Sequence, residues 1–180
     1  MTETKQSTDI QNFLKKLKYF AEHSDRGALA DLRHGFSPGT EYRAWPYIAR
    51  YCRNLENDTQ RKIWLTIGAG FAIHKSTVKE RNDIGSVMQK LAFGLPGNSP
   101  NDRLNSFEAR FRRLISCSNS SELCDQLRGI IVAAERKGIE INFEQLFWDL
   151  QKWHKPEKKV KVKWAQSYWN YSSKKGGSKD

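Results

Sequence analysis

The stretch IWLTIGAGFAI, residues 63–73, is the longest apolar run in this chain of 180 residues. It is too short to cross a bilayer as a helix, which needs about 20 apolar residues. The segment from Asn57 or Asp58 to His74 contains this run and is the most apolar helical segment of the sequence. A helix with so little polar surface is stable only when it is buried. We therefore predict that it is the central helix of the core.

Apolar residues recur at helical spacing through nearly all of the remaining chain. Asp9, Asp25 and either Ser120 or Ser121 are suited to N-caps, and Gly138 is suited to follow the end of a helix. The other eight predicted helices span residues 9–23, 25–35, 41–53, 84–93, 104–117, 121–137, 142–154 and 157–172, with a polar surface loop at 75–83.

The last of these helices has an alternative. The segment KVKVKW, residues 159–164, alternates with a period of two and is compatible with a β-strand. A helix would place Val160, Trp164 and Tyr168 on one face, and no hairpin partner for a strand is evident. We therefore predict a helix at this position.

The segment GLPGNSPND, residues 94–102, combines two Pro, two Gly and two Asn and is the strongest break in the helical pattern. We take it as a linker between an N-terminal helical lobe, residues 1–93, and a C-terminal helical lobe, residues 103–172. SSKKGGSKD ends the chain, and residues 173–180 are predicted to be a flexible tail. The predicted fold class is all-α, with about nine helices in two packed lobes.

The chain is strongly basic, with 31 Lys and Arg against 20 Asp and Glu and a net charge of +11. Such a balance favours nucleic acid or an anionic membrane surface as a partner. Lysines are concentrated after residue 151, where they are interleaved with aromatic residues. This segment is either a solvated tail or a helix that faces phosphates, and the aromatic residues favour the helix.

Cysteine usage and the N-terminus indicate the compartment. The three cysteines, Cys52, Cys117 and Cys124, form no CxxC pair, which favours free thiols in a reducing environment over a zinc site. The segment MTETKQSTDIQNFL lacks the apolar core of a signal peptide. We expect a soluble cytoplasmic protein without a membrane contact or a cofactor.

Groups for catalysis do not converge in the sequence. The four histidines lie far apart and form no HExxH or HxH pattern. Glu140, Glu144 and Asp149 could suggest a metal-dependent nuclease, yet Glu144 and Asp149 fall on different faces of a helix. We therefore expect no enzymatic activity, and a nuclease at these acids is the weaker alternative.

Basic side chains are the remaining chemical signal. In SFEARFRRLISC, residues 106–117, Arg110 and Arg113 lie on one flank of an apolar helical face, where they could bind phosphate or merely pair with acids. No base-reading motif accompanies them, so we predict sequence-independent binding to the nucleic-acid backbone. The predicted binding residues are Arg33, His34, Arg50, Arg53, Arg103, Arg110, Arg113, Arg128, Lys158, Lys159, Lys161 and Lys163.

Four runs in this order resemble the CasB family, the small subunit of the type I-E CRISPR surveillance complex, Cascade. The runs are ALADLRHG (28–35), SFEARFRRLISCSNSSELCDQLRGII (106–131), INFEQLFWDLQKW (141–153) and VKWAQSYW (162–169). SVMQK, residues 86–90, stands where the family usually has a serine-leucine-glycine-arginine run. The glycine-arginine contact of the family is therefore not transferred to this chain.

The resemblance implies a non-catalytic, all-helical protein that stabilises an R-loop. Its implied partners are the displaced single-stranded DNA, the guide RNA–target DNA duplex, a head-to-tail copy of itself, and the CasA, CasC, CasD and CasE subunits. By motif position it assigns phosphate contacts to Arg33 with His34, Arg110, Arg113 and Arg128. A free-standing, sequence-independent nucleic-acid-binding protein is the alternative.

Overall fold

The computed structural model describes the backbone of residues 2–93 and 100–170 and the side chains of residues 4–93 and 106–170. Within these ranges the chain forms nine α-helices, three one-turn 3-10 helices and no β-strand, so the all-α prediction is confirmed. The α-helices are α1 (Thr2–Glu22), α2 (Arg26–Arg33), α3 (Trp45–Ile48), α4 (Asp58–His74), α5 (Ile84–Phe93), α6 (Pro100–Ser116), α7 (Ser120–Arg136), α8 (Phe143–Lys152) and α9 (Val160–Trp169). The 3-10 helices are His34–Phe36, Glu41–Ala44 and Pro156–Lys158.

Helix α4 is the central helix of the core, as its sequence predicts. Every residue from Ile63 to Ala72 is buried. Helix α2 packs on one side of α4, and α7 and α8 pack on the other. Two glycines permit this close packing: a Cβ on Gly68 would meet Leu32 of α2, and one on Gly70 would meet Ile131 of α7.

Helices from both predicted lobes contribute to one cluster of buried side chains. Helix α5, which the sequence places in the N-terminal lobe, packs against α6 and α9. Residues 94–99 of the predicted linker and the tail at 173–180 lie outside the described residues. The division into lobes at 94–102 therefore stays a prediction.

Helix α1 begins earlier than predicted, at Thr2 instead of Asp9. Residues 2–8 contain neither Gly nor Pro, so nothing in them ends a helix that already buries Ile10 and Phe13. The prediction of Asp9 as an N-cap is wrong because the residue lies inside α1. Its carboxylate instead accepts a hydrogen bond from Arg53.

The predicted helix at 41–53 is wrong in its second half. The chain forms the 3-10 helix Glu41–Ala44 and a single α-turn, α3, which tolerates Pro46 in its first turn. The backbone amides of Tyr51 and Cys52 both donate to the carbonyl of Ile48, which closes a turn. That turn redirects the chain into α4, whose first turn Asn57 caps.

The remaining boundaries agree closely with the sequence. Helix α6 begins at Pro100, within the predicted linker, and Asn119 caps α7 one residue before the predicted serine. Ser120 is buried instead and donates its hydroxyl to the carbonyl of Leu150. Gly138 has a φ of 63°, which confirms its predicted place after α7.

The C-terminal segment is helical, so the strand alternative is wrong. Helix α9 follows the 3-10 helix Pro156–Lys158 and begins after Lys159, whose φ is 51°. Val160, Trp164 and Tyr168 are buried on one face of α9, as the helical spacing predicts. The segment therefore contributes to the core.

Candidate nucleic-acid interface

Helix α6 presents a pair of arginines beside α7. Phe111 and Leu114 are buried, which turns the flank carrying Arg110 and Arg113 toward solvent. Both arginines line a groove of about 220 Å³. The other lining residues are Leu114 of α6 and Gln126, Gly129 and Ile130 of α7.

Within the described parts of the chain, the two arginines keep their positive charge unpaired. Neither forms an ion pair with a described carboxylate, whereas their neighbour Arg112 binds Glu108 one turn earlier, with 2.6 Å between Nη2 and Oε1. The Arg110 guanidinium lies 5.7 Å from the centre of the Phe107 ring, a cation–π contact that leaves its donors available. The side chain of Arg103 lies outside the described residues. The pair can therefore bind an external anion.

Arg128 lies on a different flank of α7. It follows Asp125 by one turn, and Asp125 binds Lys62 of α4 with 2.7 Å between Oδ2 and Nζ. Gln126 and Gly129, by contrast, face the α6 groove. Arg128 is exposed and forms no ion pair among the described residues. It therefore lies outside the groove, on the side of α7 nearer α4.

Arg33 and His34 end α2 and are partly engaged within the protein. Arg33 Nε donates to the carbonyl of Ala72 over 3.2 Å, and the rest of its side chain is exposed. This bond satisfies one of the last carbonyls of α4. The ring of His34 is half-buried, with 2.8 Å between its Nδ1 and Oγ1 of Thr40. Arg33 thus retains hydrogen-bond donors for a ligand, while His34 stabilises the 3-10 turn that follows α2.

The structure distinguishes the two arginines after α3. Arg53 binds Asp9 of α1 with 2.8 Å between Nη2 and Oδ2, and its charge is therefore balanced. Arg50 is exposed and has no ion pair with a described residue. Of the two, Arg50 is therefore the cation that no described carboxylate neutralises.

The predicted lysines lie around the start of α9. Lys158, Lys159 and Lys163 are exposed without ion pairs to described residues. Lys161 Nζ donates to the carbonyl of Cys117 over 2.7 Å and lies 5.1 Å from the centre of the Trp153 ring. Lys161 therefore joins α9 to the end of α6.

The aromatic residues between these lysines face inward. Trp153, Trp164 and Tyr168 are buried, and the Tyr168 ring stacks on Phe111 with 4.2 Å between centroids. Trp169 is partly exposed. The interleaving of aromatic and basic residues therefore builds one buried and one charged face of α9.

The three acids of the nuclease alternative do not converge. Asp149 accepts a hydrogen bond from Trp164, Glu144 accepts one from Gln11 of α1, and Glu140 is exposed before α8. No group of three or more His, Cys, Asp or Glu side chains in the described parts of the chain is close enough to hold a metal ion. The cysteines Cys52, Cys117 and Cys124 are buried and free of disulfides.

Two polar residues of the predicted surface loop are buried, which corrects that prediction. Asp83 accepts from the backbone amide of Ser86 in α5 and from the hydroxyl of Ser167 in α9. Asn82 donates to the carbonyl of Glu140. Asp83 could have been found from its place before an apolar helix, which is typical of an N-cap.

Comparison with known families extends this description. None of the described helices is both long and apolar enough to span a membrane. No curated protein and no solved structure matches the chain. The profile of the family described as CRISPR-associated protein Cse2 matches residues 28–169, which include all but the first two residues of α2, the helices α3 to α9 and every arginine discussed above. The chain therefore belongs to the Cse2 (CasB) family, the small subunit of the type I-E CRISPR complex Cascade.

Proposed function

We propose that this chain is a non-catalytic Cascade subunit that binds the nucleic-acid backbone without reading its sequence and thereby stabilises the R-loop. The displaced DNA strand is its principal ligand, and the guide RNA–target DNA duplex is the second. A copy of the same chain and the CasA, CasC, CasD and CasE subunits are the proposed protein partners in the cytoplasm. The proposal combines family membership with the distribution of unpaired positive charge.

The observation that carries the proposal is the groove containing Arg110 and Arg113. Two guanidinium groups line one groove, neither is neutralised by a described carboxylate, and the opposite wall includes Gly129, which has no side chain. Guanidinium groups bind phosphate oxygens in pairs, and a wall without a side chain lets a backbone approach. The groove is therefore suited to a sugar-phosphate chain.

A few phosphate contacts are enough for this function. R-loop formation exchanges a DNA duplex for an RNA–DNA duplex of similar stability, so a small added free energy decides which persists. Each cation that binds a phosphate of a single strand releases counterions, and log affinity falls with log salt with a slope of about −0.7 per contact. Contacts at Arg110, Arg113, Arg128 and Arg33 would favour the open state without any base recognition.

The test is a double variant, Arg110→Gln with Arg113→Gln, in the full chain. Its control is Lys15→Gln with Lys18→Gln on α1, which removes the same charge away from the groove. Of the two variants, we expect only the arginine variant to weaken binding to labelled oligo(dT). It should reduce the magnitude of the salt slope by about 1.4, twice the ~0.7 per contact. Equal slopes in the two variants would contradict the proposal.

A footprint of the displaced strand on assembled Cascade distinguishes a subunit function from that of a free-standing binder. With the chain present, the strand should be protected, and the arginine variant should lose that protection. A free-standing protein would instead leave the displaced strand on Cascade unprotected and would not co-purify with guide RNA or with the other subunits. That outcome would favour the alternative.

A further inference from the structure

A second cavity lies where α8 ends and α9 begins, and its walls are apolar. It has a volume of about 410 Å³, within the range of pockets that hold small ligands. Trp153 and Val160 are buried, while Pro156 and Val162 are exposed, with Val162 52% accessible. The walls therefore offer apolar surface that water can reach.

The rim of this cavity is basic. Lys155, Lys159 and Lys161 line it together with His154 and Ser118, and no carboxylate is among its lining residues. Lys155 and Lys159 form no ion pair in the described parts of the chain, whereas Lys161 is fixed by the carbonyl of Cys117. Two ammonium groups without an ion pair to a described residue, and one fixed by a hydrogen bond, thus surround an apolar pocket.

The cavity is adjacent to the helix that carries the two arginines. Arg110 and Arg113 lie one turn apart on α6, and the buried Cys117 directly follows Ser116, the last residue of that helix. The carbonyl of Cys117 accepts from Lys161, and the next residue, Ser118, lines the cavity. The cavity therefore begins just beyond the end of α6, five residues after Arg113 in the chain.

We propose that this cavity holds one nucleotide unit of the same single strand whose neighbouring phosphates lie on Arg110 and Arg113. Lys155 and Lys159 bind its phosphate, and the sugar and base lie against Pro156 and Val162. The inference rests on the proposed function and adds a site of defined composition to it. Lys155, absent from the residues predicted by sequence, becomes a binding residue.

Charge and continuity favour nucleic acid over an acidic segment of a protein. No carboxylate lines either the groove or the cavity, and the acid beside their junction, Glu122, is engaged by the backbone amide of Ser118. A repeating anion such as a sugar-phosphate chain matches two basic sites of this kind. The apolar walls add contact with the uncharged part of each nucleotide.

The experiment compares Lys155→Gln with Lys159→Gln against the control Lys15→Gln with Lys18→Gln, which changes the net charge equally. Lys161 is left intact because it joins α9 to α6. Binding of the full chain to labelled oligo(dT), to an abasic strand of the same length and to poly-glutamate is measured over a range of salt, and thermal unfolding checks each variant's fold. We expect the cavity variant to reduce the magnitude of the oligo(dT) salt slope by about 1.4, two contacts of ~0.7 each.

We expect the wild-type chain to bind the abasic strand more weakly than oligo(dT). A smaller difference between the two strands in Val162→Ser would support the base contact. Equal slopes for the cavity variant and the control would overturn the inference, and it would also fall if only poly-glutamate binding changed. The double variant Arg110→Gln with Arg113→Gln tests the groove independently of the cavity. If it weakens oligo(dT) binding while Lys155→Gln with Lys159→Gln does not, the cavity inference fails and the proposed function stands. If neither double variant differs from the control, both proposals fail.

Discussion

Trp164 of α9 donates its indole Nε1–H to Oδ2 of Asp149 of α8 over 2.7 Å, so a carboxyl group is held at the interface of two core helices. The pKa of Asp149 is raised from its ordinary value of 3.8 to about 6, mainly by burial and also by the nearby Asp83. The bond from Trp164 and the charges of Lys163 and Arg81 act in the opposite direction. Folding therefore favours the protonated form of Asp149.

This relationship predicts how stability depends on pH. Between about pH 4 and pH 6 the folded state binds the Asp149 proton more tightly than the unfolded state, so this contribution to the free energy of unfolding falls as pH rises. Asp149→Asn keeps an acceptor for Trp164 but removes the titration. We expect the stability of the variant relative to wild type to increase from pH 4 to pH 7, by at most about 3 kcal/mol.

Chemical denaturation at several pH values measures this difference. Other carboxyl groups titrate in both proteins, so only the difference between variant and wild type is informative. A difference that is flat from pH 4 to pH 7 would show that the Asp149 pKa is not raised by folding.

Two helical glycines should respond oppositely to alanine. A Cβ at Gly85 of α5 would overlap the backbone of Trp164 in α9, and a backbone cannot move aside as a side chain can. We expect Gly85→Ala to destabilise the protein by about 2 kcal/mol or more, as overpacking does. A Cβ at Gly129 of α7 would meet no atom within 4 Å. Gly129→Ala should therefore stabilise the helix by about 0.5–1 kcal/mol.

Thermal unfolding of the two variants measures the change in stability. Each variant replaces a helical glycine by alanine, so each is a control for the loss of glycine's flexibility in the other. If Gly85→Ala were as stable as wild type, the close contact between α5 and α9 would be wrong. A loss of stability in Gly129→Ala would mean that the exposed side of α7 is covered.

The helices were largely predictable because their boundaries depend on local chemistry. Apolar spacing, Asp25 as the cap of α2 and Gly138 after α7 are all visible in the sequence, and the structure confirms them. The third helix was not predictable, because its end depends on a turn at Ile48 that leads the chain into α4. The spacing of apolar residues alone does not indicate where the chain turns in this way.

The candidate site was predictable only in part, because pairing depends on residues distant in sequence. Nothing near Arg53 in the sequence indicates that Asp9, on the distant helix α1, neutralises it. The spacing of Arg110 and Arg113 does indicate a shared flank, since both lie on one helix. Lys155 was missed because the cavity it lines is formed by three segments that meet only after folding.

Arg50 and Arg53 offer a matched test of charge pairing. Both are exposed, yet among the described residues only Arg53 has a carboxylate partner, that of Asp9. We expect Arg50→Gln to weaken binding to oligo(dT) more than Arg53→Gln, because a phosphate that binds Arg53 must first replace Asp9. Asp9→Asn should release Arg53 and strengthen binding.

Anisotropy titrations of the three single variants at one salt concentration distinguish these outcomes. Equal weakening by Arg50→Gln and Arg53→Gln would mean that the ion pair opens freely in solution. No change in any of the three would exclude the region after α3 from the interface.

Arg33 combines a structural bond with a candidate phosphate contact, and Arg33→Lys separates the two. Lysine keeps the positive charge but lacks the Nε–H that donates to the carbonyl of Ala72 at the end of α4. We expect the free energy of unfolding to fall by about 1 kcal/mol, the typical contribution of one hydrogen bond, while the salt slope for oligo(dT) stays unchanged. Arg33→Gln should lose stability similarly and also reduce the magnitude of the slope by ~0.7, because the charge is gone. If Arg33→Gln instead kept the full slope, Arg33 would act only on the end of α4, and the strand would pass this part of the surface without touching it.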